Sequence, residues 1–389
     1  MLSNADIDIM ATEEFRQSVL RNIERDPVVV ALDKRVENAS LVATQVKYLQ
    51  RAKHKLPRLY EAGCIIPPRA FEQSSSQESA EVKAISGGSL LDLTCGLGID
   101  TMSFAERFDR VVALERDEVL ARVVRYNLEL LGIKNVEVVT TSAEEYLQQC
   151  KEHFDWVFVD PDRRSAEGKK MVRMEDCSPN VLEQMLNIER VADRLGVKLS
   201  PLFDVDEACR LFPSSEVEVV SIGGECKELN VYTNAQKEVL RIVIAGVGVW
   251  EYDFEATTAR PTMTPFDVER VRYLIVPDVA MQKGRVAVAE FSRYGQIWSN
   301  NGYAFAERLP EGKIPAKVYK IERIERYNPK QLKREFKGVG VEILKRDTQL
   351  SVEAVRKATS MRAGSERMMA ITTIGSDNWV VYIKRNDEN

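Results

Sequence analysis

The chain has 389 residues, 44% apolar and 30% charged, with a formal net charge of −5. That is the balance of an ordinary soluble globular protein with room for two or three domains, and it carries no global sign of nucleic-acid binding. No apolar run approaches the ~18–20 residues of a membrane span, and the acidic start, Met-Leu-Ser-Asn-Ala-Asp, lacks a signal-peptide core. A cytoplasmic location is expected. Six cysteines form no C-x-x-C pair, which suits a reducing compartment. The two histidines, His54 and His153, are far apart in sequence, so no metal site is expected.

Residues 1–68 read as helical, because Ile23, Val30, Leu41, Val42, Val46, Leu49 and Leu56 recur at helix-compatible spacings. Asp26-Pro27 marks a helix start. Lys47 to Arg58 is rich in Lys and Arg without an acid; it reads equally as a phosphate-contacting face or a solvated helix surface. Pro67-Pro68 punctuates a junction, and a Gln/Ser-rich linker leads into a helix expected over 78–85.

The central feature is 90–117. Leu90, Leu91 and Leu93 read as a buried strand carrying Asp92 near its carboxyl end, followed by Gly96 and Gly98, which allow a tight turn. A helix is expected from Asp100 or Thr101, then a second strand over 110–114 with Glu115 at its tip. This is the opening β-α-β of a nucleotide-binding sheet, with an acid placed for ribose hydroxyls. A dinucleotide fingerprint needs a third glycine where Thr101 stands, so a closely held pyrophosphate is not supported. A carboxylate four residues before Gly96 suits a cationic amino-acid moiety better.

The stretch resembles motif I of class I S-adenosylmethionine (SAM)-dependent methyltransferases, in the Asp-Leu-Thr-Cys-Gly-x-Gly form of many RNA methyltransferases. The resemblance implies a Rossmann-like α/β sheet and SAM as cofactor. It implies that Asp92, Thr94, Cys95, Gly96, Gly98, Asp100, Thr101 and Arg116 bind the cofactor, with Cys95 beside the methionine portion and Glu115 at the ribose. In related enzymes a similar Gln/Ser segment lies over the cofactor, which carries over to Gln73, Ser75 and Ser76.

Further along, a helix is expected over 118–131, closed by Gly132, and a third strand over 136–140. Ser142, Ala143 and Glu144 then match the loop that meets adenine in this fold. Glu144 also reads as an acid of a helix capped by Ser142, and both roles can coexist. Phe154 to Val159 is apolar over Trp156, Val157, Phe158 and Val159 and so reads as a doubly buried strand. It ends in Asp160-Pro161-Asp162-Arg163, the position of methyltransferase motif IV, where Pro161 abuts the cofactor and Asp160, Asp162 and Arg163 are the catalytic candidates. In the (D/N)-P-P-(Y/F) form an aromatic stacks on the base; here Arg163 replaces it and offers only a guanidinium plane. Uracil-C5 methyltransferases carry a closer D-P-P-R form but also need a cysteine nucleophile. Cys226 is the candidate by topology, although its Glu-Cys-Lys-Glu context does not match and an ordinary turn cysteine is the stronger reading.

A helix is then expected over 180–195, a fifth strand over 198–203, and a closing antiparallel pair, 217–222 and 240–247, joined through 223–228. Beyond 251 the pattern changes: a small ferredoxin-like α+β module over 251–312, then strand, helix, strand, helix and two strands over 313–389. That tail resembles the THUMP-like domain appended to certain bacterial SAM-dependent methyltransferases. The implied division is a helical region (1–68), a methyltransferase domain (69–250), the small module and the tail. Between Lys313 and Arg346 eleven basic residues face four acids, an asymmetry suited to RNA docking. The candidates are Lys317, Lys320, Arg326, Lys330, Lys333, Arg334 and Lys337. The expected activity is methylation of RNA, tRNA or rRNA. Alternatives are a small-molecule or protein methyltransferase and a non-catalytic RNA-binding protein that keeps the fold.

Overall fold

Asp26 accepts the Val28 amide at 2.7 Å, and Pro27 fills the first turn where no amide is needed, so a helix begins where the sequence marks it. The structure is a computed structural model that describes residues 2–83, 85–163, 174–235 and 237–385. Ahead of the first strand it has α1 (Asn4–Met10), α2 (Glu13–Asn22), α3 (Pro27–Leu32), α4 (Ala39–Lys55), α5 (Pro57–Ala62), α6 (Pro68–Gln73) and α7 (Gln77–Glu81). There follow β1 (Gly87–Asp92), α8 (Ile99–Phe104), β2 (Phe108–Leu114), α9 (Glu118–Leu130), β3 (Val136–Val139), α10 (Ala143–Gln149) and β4 (Phe154–Val159). Then come α11 (Val181–Val191), β5 (Ala192–Leu199), α12 (Val205–Leu211), β6 (Glu216–Ile222) and β7 (Glu225–Tyr232).

The chain forms two compact units. The first is the stretch up to residue 216 together with 227–237. Its strands lie in the order β3-β2-β1-β4-β5-β7; the first five are parallel and β7 runs antiparallel to β5. Phe154, Trp156, Val157, Phe158 and Val159 of β4 are all buried, as a parallel strand covered on both faces requires. Each such side chain gains about 1.5–3 kcal/mol by leaving water. Val42, Val46 and Leu49 of α4 join Val123, Val124 and Leu128 of α9 in one apolar cluster. Two buried amides fix this packing. Asn127 both accepts from the Ile65 amide and donates to its carbonyl, each at 2.9 Å, and Gln45 does the same for Ile66 at 3.0 and 3.1 Å.

Several sequence expectations change. The helix expected over 78–85 runs Gln77–Glu81. The helix expected to Leu195 stops at Val191, and β5 starts at Ala192. Val191 to Leu195 fits a helical period, but parallel pairing with Phe154–Val159 draws it into the sheet and buries Leu195, Val197 and Leu199. The segment expected to be a connection, 223–228, turns at Gly223 and Gly224 (φ 60° and 83°) and enters β7. Its charged lead, Glu-Cys-Lys-Glu, concealed the strand. Finally, 217–222 and 240–247 are not an antiparallel pair: β6 runs parallel to β8 (Leu240–Ile244), and the hairpin lies between β8 and β9 (Gly248–Tyr252).

The second unit holds 217–226 and 238 onward. After β9 come β10 (Tyr273–Pro277), α13 (Val279–Lys283), α14 (Ala287–Phe291), β11 (Gly295–Ile297) and β12 (Ala304–Ala306). The tail is β13 (Ala316–Arg326), α15 (Pro329–Phe336), β14 (Gly340–Lys345), α16 (Val352–Thr359), β15 (Arg367–Ile374) and β16 (Asp377–Arg385). This is the expected order of strands and helices. One sheet, β11-β12-β10-β13-β16-β15-β14 with the short Arg362–Ala363 pairing at its edge, takes strands from both the 251–312 segment and the tail. Leu332 and Phe336 of α15 pack on Val341, Met369, Val380 and Tyr382, with the Phe336 and Tyr382 rings stacked at 5.6 Å.

Candidate active site at the carboxyl edge of the parallel sheet

The loop after β1 is held from behind by Asp92, which is 1% exposed. Its carboxylate accepts the Thr94 amide at 3.0 Å and the Thr101 hydroxyl at 2.5 Å. Burial pushes its pKa up to about 7 against the pull of these two bonds. Thr101, in the place of a third glycine, therefore serves as a brace. Gly96 and Gly98 sit at φ 56° and 83°, where a side chain is strained, and a Cβ on Gly98 would stand 3.1 Å from Val124. Glu115, just beyond β2, accepts the Gly96 amide at 3.0 Å and the Asp117 amide at 2.8 Å. Burial raises its pKa.

In front of this loop lies a cavity of about 890 Å³. Its wall includes Thr94, Cys95, Gly96 and Asp100 from the loop, Glu115 and Arg116, and Ser142, Ala143 and Glu144. Asp160 and Asp162 close one side, and Gln73 at the end of α6 and Ser75 of the α6–α7 connection close another. Asp92, Gly98, Thr101 and Pro161 are not in the wall. Ser76 is turned away as well, capping α7 through the Ser79 amide at 3.1 Å. Ser142 caps α10 through the Glu145 amide at 3.2 Å while Glu144 lines the cavity. The side chain of Arg163 lies outside the described residues. Cys226 is not a lining residue, and Cys95 is, but burial pushes its thiol far above the usual range.

Asp160 is not an isolated carboxylate. Its amide donates to Thr94 Oγ1 at 2.7 Å, and its Oδ2 accepts Lys198 Nζ at 2.6 Å. Lys198 also donates to Ser75 Oγ at 2.8 Å, and Ser75 donates to Asp100 Oδ2 at 2.8 Å. Behind them Lys83, with no exposed side-chain surface, lies 2.8 Å from both Asp100 and Glu228; Lys198 stands 3.9 Å from the same two carboxylates. Burial alone pulls both lysines down, but the carboxylates outweigh it and raise them. Burial also works to raise Asp100, yet the two lysines hold it near 2. Asp160 ends up raised, by burial first and by Asp100 in addition, against the pull of Lys198. Lys83, Lys198 and Glu228 were not picked out from the sequence. A lone lysine before β1 and a charge inside each of two apolar strands were the available signals.

In the tail, Lys317, Lys320, Arg326, Lys330, Lys333, Arg334 and Lys337 are all exposed. They are not equivalent. Lys330, Lys333, Arg334 and Lys337 recur at i, i+3, i+4 and i+7, a single stripe opposite the buried Leu332 and Phe336. Lys317 and Lys320 lie on opposite faces of β13, and Arg326 is paired with Asp377 at 3.1 Å beside the Trp379 ring. In the N-terminal basic stretch, Arg51 pairs with Glu72, Arg58 pairs with Glu106, and Lys55 donates to the Phe71 carbonyl. That stretch is committed largely to its own fold.

Five parallel strands and an antiparallel one, a glycine loop after β1, an acid after β2 and an Asp-Pro after β4 define the class I methyltransferase fold. Comparison with known proteins agrees. Residues 49–163 match the tRNA (Uracil-5-)-methyltransferase family and residues 316–385 match the THUMP domain-like family. A tRNA/tmRNA (uracil-C(5))-methyltransferase of Saccharophagus degradans is 27% identical over 160 residues, 37% of this chain and 41% of that relative. An S-adenosylmethionine-dependent methyltransferase of Mycobacterium tuberculosis is 23% identical over 340 residues, 84% of this chain and 90% of that one. The crystal structure of a protein assigned as a methyltransferase in Porphyromonas gingivalis W83 superposes with a TM-score of 0.81 at 23% identity, covering 96% and 98% of the two chains. The chain thus spans less than half of the uracil methyltransferase and most of the other two. Among the described residues no helix is long and apolar enough to cross a membrane, and no group of side chains is arranged to hold a metal ion.

Proposed function

We propose that the protein is a SAM-dependent methyltransferase acting on RNA, either tRNA or rRNA, in the cytoplasm. The observation that carries this reading is the single cavity edge where the glycine loop, Glu115, Ser142–Glu144 and Asp160 meet. The residues fit the group. Glu115 is committed to two amides but keeps lone pairs for ribose hydroxyls. Ala143 and Glu144 offer a small surface and an acceptor to adenine, and Cys95 and Gly96 leave space for the methionine portion. Bound there, SAM supplies a methyl group already activated on a sulfonium. The protein's task is then to align the acceptor and manage its proton. The matches to RNA-modifying and THUMP-like families, together with the lysine and arginine stripe of α15, favour RNA over a small molecule.

Isothermal titration of the purified protein with SAM and S-adenosylhomocysteine tests the first half. Binding is expected, weakened about 10–100-fold by Glu115→Ala, since hydrogen bonds to a charged group contribute about 1.5–3 kcal/mol. Absence of binding to folded protein rejects the reading. Transfer of labelled methyl to RNA from a strain lacking the gene tests the second half.

A further inference from the structure

Among its described residues, the cavity wall lacks two things that methylation of a base calls on. None of the described lining residues is aromatic, and the one cysteine among them has a strongly suppressed thiolate. Residues 164–173, Arg-Ser-Ala-Glu-Gly-Lys-Lys-Met-Val-Arg, contain neither residue type. A stacked base wants an aromatic platform, and attack through C6 of uracil wants a covalent cysteine.

What the wall does present is Asp160 backed by an ammonium. An amine becomes more positive as it takes a methyl group, so a lysine 2.6 Å behind the carboxylate that would hold it is unfavourable. A hydroxyl becomes more negative as it loses its proton, and the same lysine then helps. Among the described residues Oδ1 of Asp160 accepts no hydrogen bond, whereas Oδ2 is taken by Lys198. The network has three carboxylates (Asp100, Asp160, Glu228) and two ammonium groups (Lys83, Lys198). One added proton makes it neutral; of the two network carboxylates that line the cavity, Asp100 is held low by the lysines and Asp160 is raised.

We propose that the methyl acceptor is a hydroxyl, namely a ribose 2′-hydroxyl of RNA, with Asp160 as the group that takes its proton and Lys198 as the residue that positions Asp160 and steadies the developing alkoxide. This rests on the RNA methyltransferase reading above. The acceptor oxygen passes its proton to Asp160. Its lone pair forms the O–CH₃ bond while the S–CH₃ bond of the donor breaks, and that electron pair stays on sulfur. The products are a 2′-O-methyl ribose, neutral S-adenosylhomocysteine and a protonated Asp160, which returns the proton to water. Lys83 and Glu228 act one layer back by holding Lys198 and Asp100 in register.

The test uses the full chain, methyl-labelled SAM and total RNA from a strain lacking the gene, with the product RNA hydrolysed in alkali. Alkaline cleavage runs through the 2′-hydroxyl, so label in alkali-resistant dinucleotides is the expected result. Label in mononucleotides overturns the hydroxyl proposal and leaves the RNA methyltransferase reading standing. Unlabelled RNA from protein that binds SAM overturns both. Asp160→Asn is expected to lower kcat by about 10²–10⁴-fold with SAM affinity unchanged. The rate should rise with pH as Asp160 ionises. Lys198→Met should shift that rise to higher pH, because removing the cation raises the carboxyl further, and Lys198→Arg should restore part of kcat. Equal loss in both lysine variants with an unmoved pH profile would reduce Lys198 to a structural role.

Discussion

Two lysine-containing regions of this chain obey opposite physics. In the methyltransferase-type unit, Lys83 is buried and Lys198 mostly so, and both are matched to carboxylates at 2.6–2.8 Å. In the tail, Lys330, Lys333 and Arg334 on one side of α15 and Lys337 just past its end stand exposed. A buried ion pair costs several kcal/mol per ion in lost hydration and persists only when its partners are complete. An exposed charge costs nothing to keep and is screened within about 8–10 Å by salt. The first arrangement therefore ties charge to one geometry, and the second leaves it for a partner.

The largest effect that separates them is on stability. Lys83→Met removes the cation 2.8 Å from Asp100 and Glu228 and leaves them only Lys198 at 3.9 Å; the expected loss is about 3–5 kcal/mol in urea unfolding. Lys83→Met with Glu228→Gln should recover part of it. A loss as small as that of a surface substitution would break the distinction. The second effect is on pH dependence. Asp92 has a folded pKa near 7 against an ordinary 3.8, so the folded form binds its proton more readily than the unfolded chain. The contribution is full below about pH 4 and is lost as pH rises through about 7. Melting temperatures from pH 4 to 8 should therefore fall less with pH in Asp92→Asn than in the parent. The smallest effect on stability belongs to the stripe. Lys330, Lys333, Arg334 and Lys337 changed together to Ala should leave the unfolding midpoint in place. RNA affinity should drop, and the slope of its logarithm against log salt should shrink by roughly 0.7–0.9 for each phosphate contact removed.

Much of the site was written locally. Gly96 and Gly98, the acid at 115 and the Asp-Pro at 160 each follow a strand within one β-α-β step, so local pattern together with the resemblance to methyltransferase motifs made them readable. The tail was legible for the same reason: α15 and α16 have clear caps, Asn328 and Ser351, and its strands are bounded by turns. The errors fell where a strand's identity depended on its neighbour. Ala192–Leu199 is helical by period and a strand by pairing with β4, and Glu225–Tyr232 hides its apolar half behind charges.

The sequence by itself thus determined the glycine loop, the order of strands and helices in the tail and the basic stripe of α15, because backbone conformation and helical period are local properties. Only the tertiary structure decided that Lys83, Asp100, Asp160, Lys198 and Glu228 form one network. They are far apart in the chain and sit on separate elements, and a buried charge pair exists only where folding brings both members out of water together.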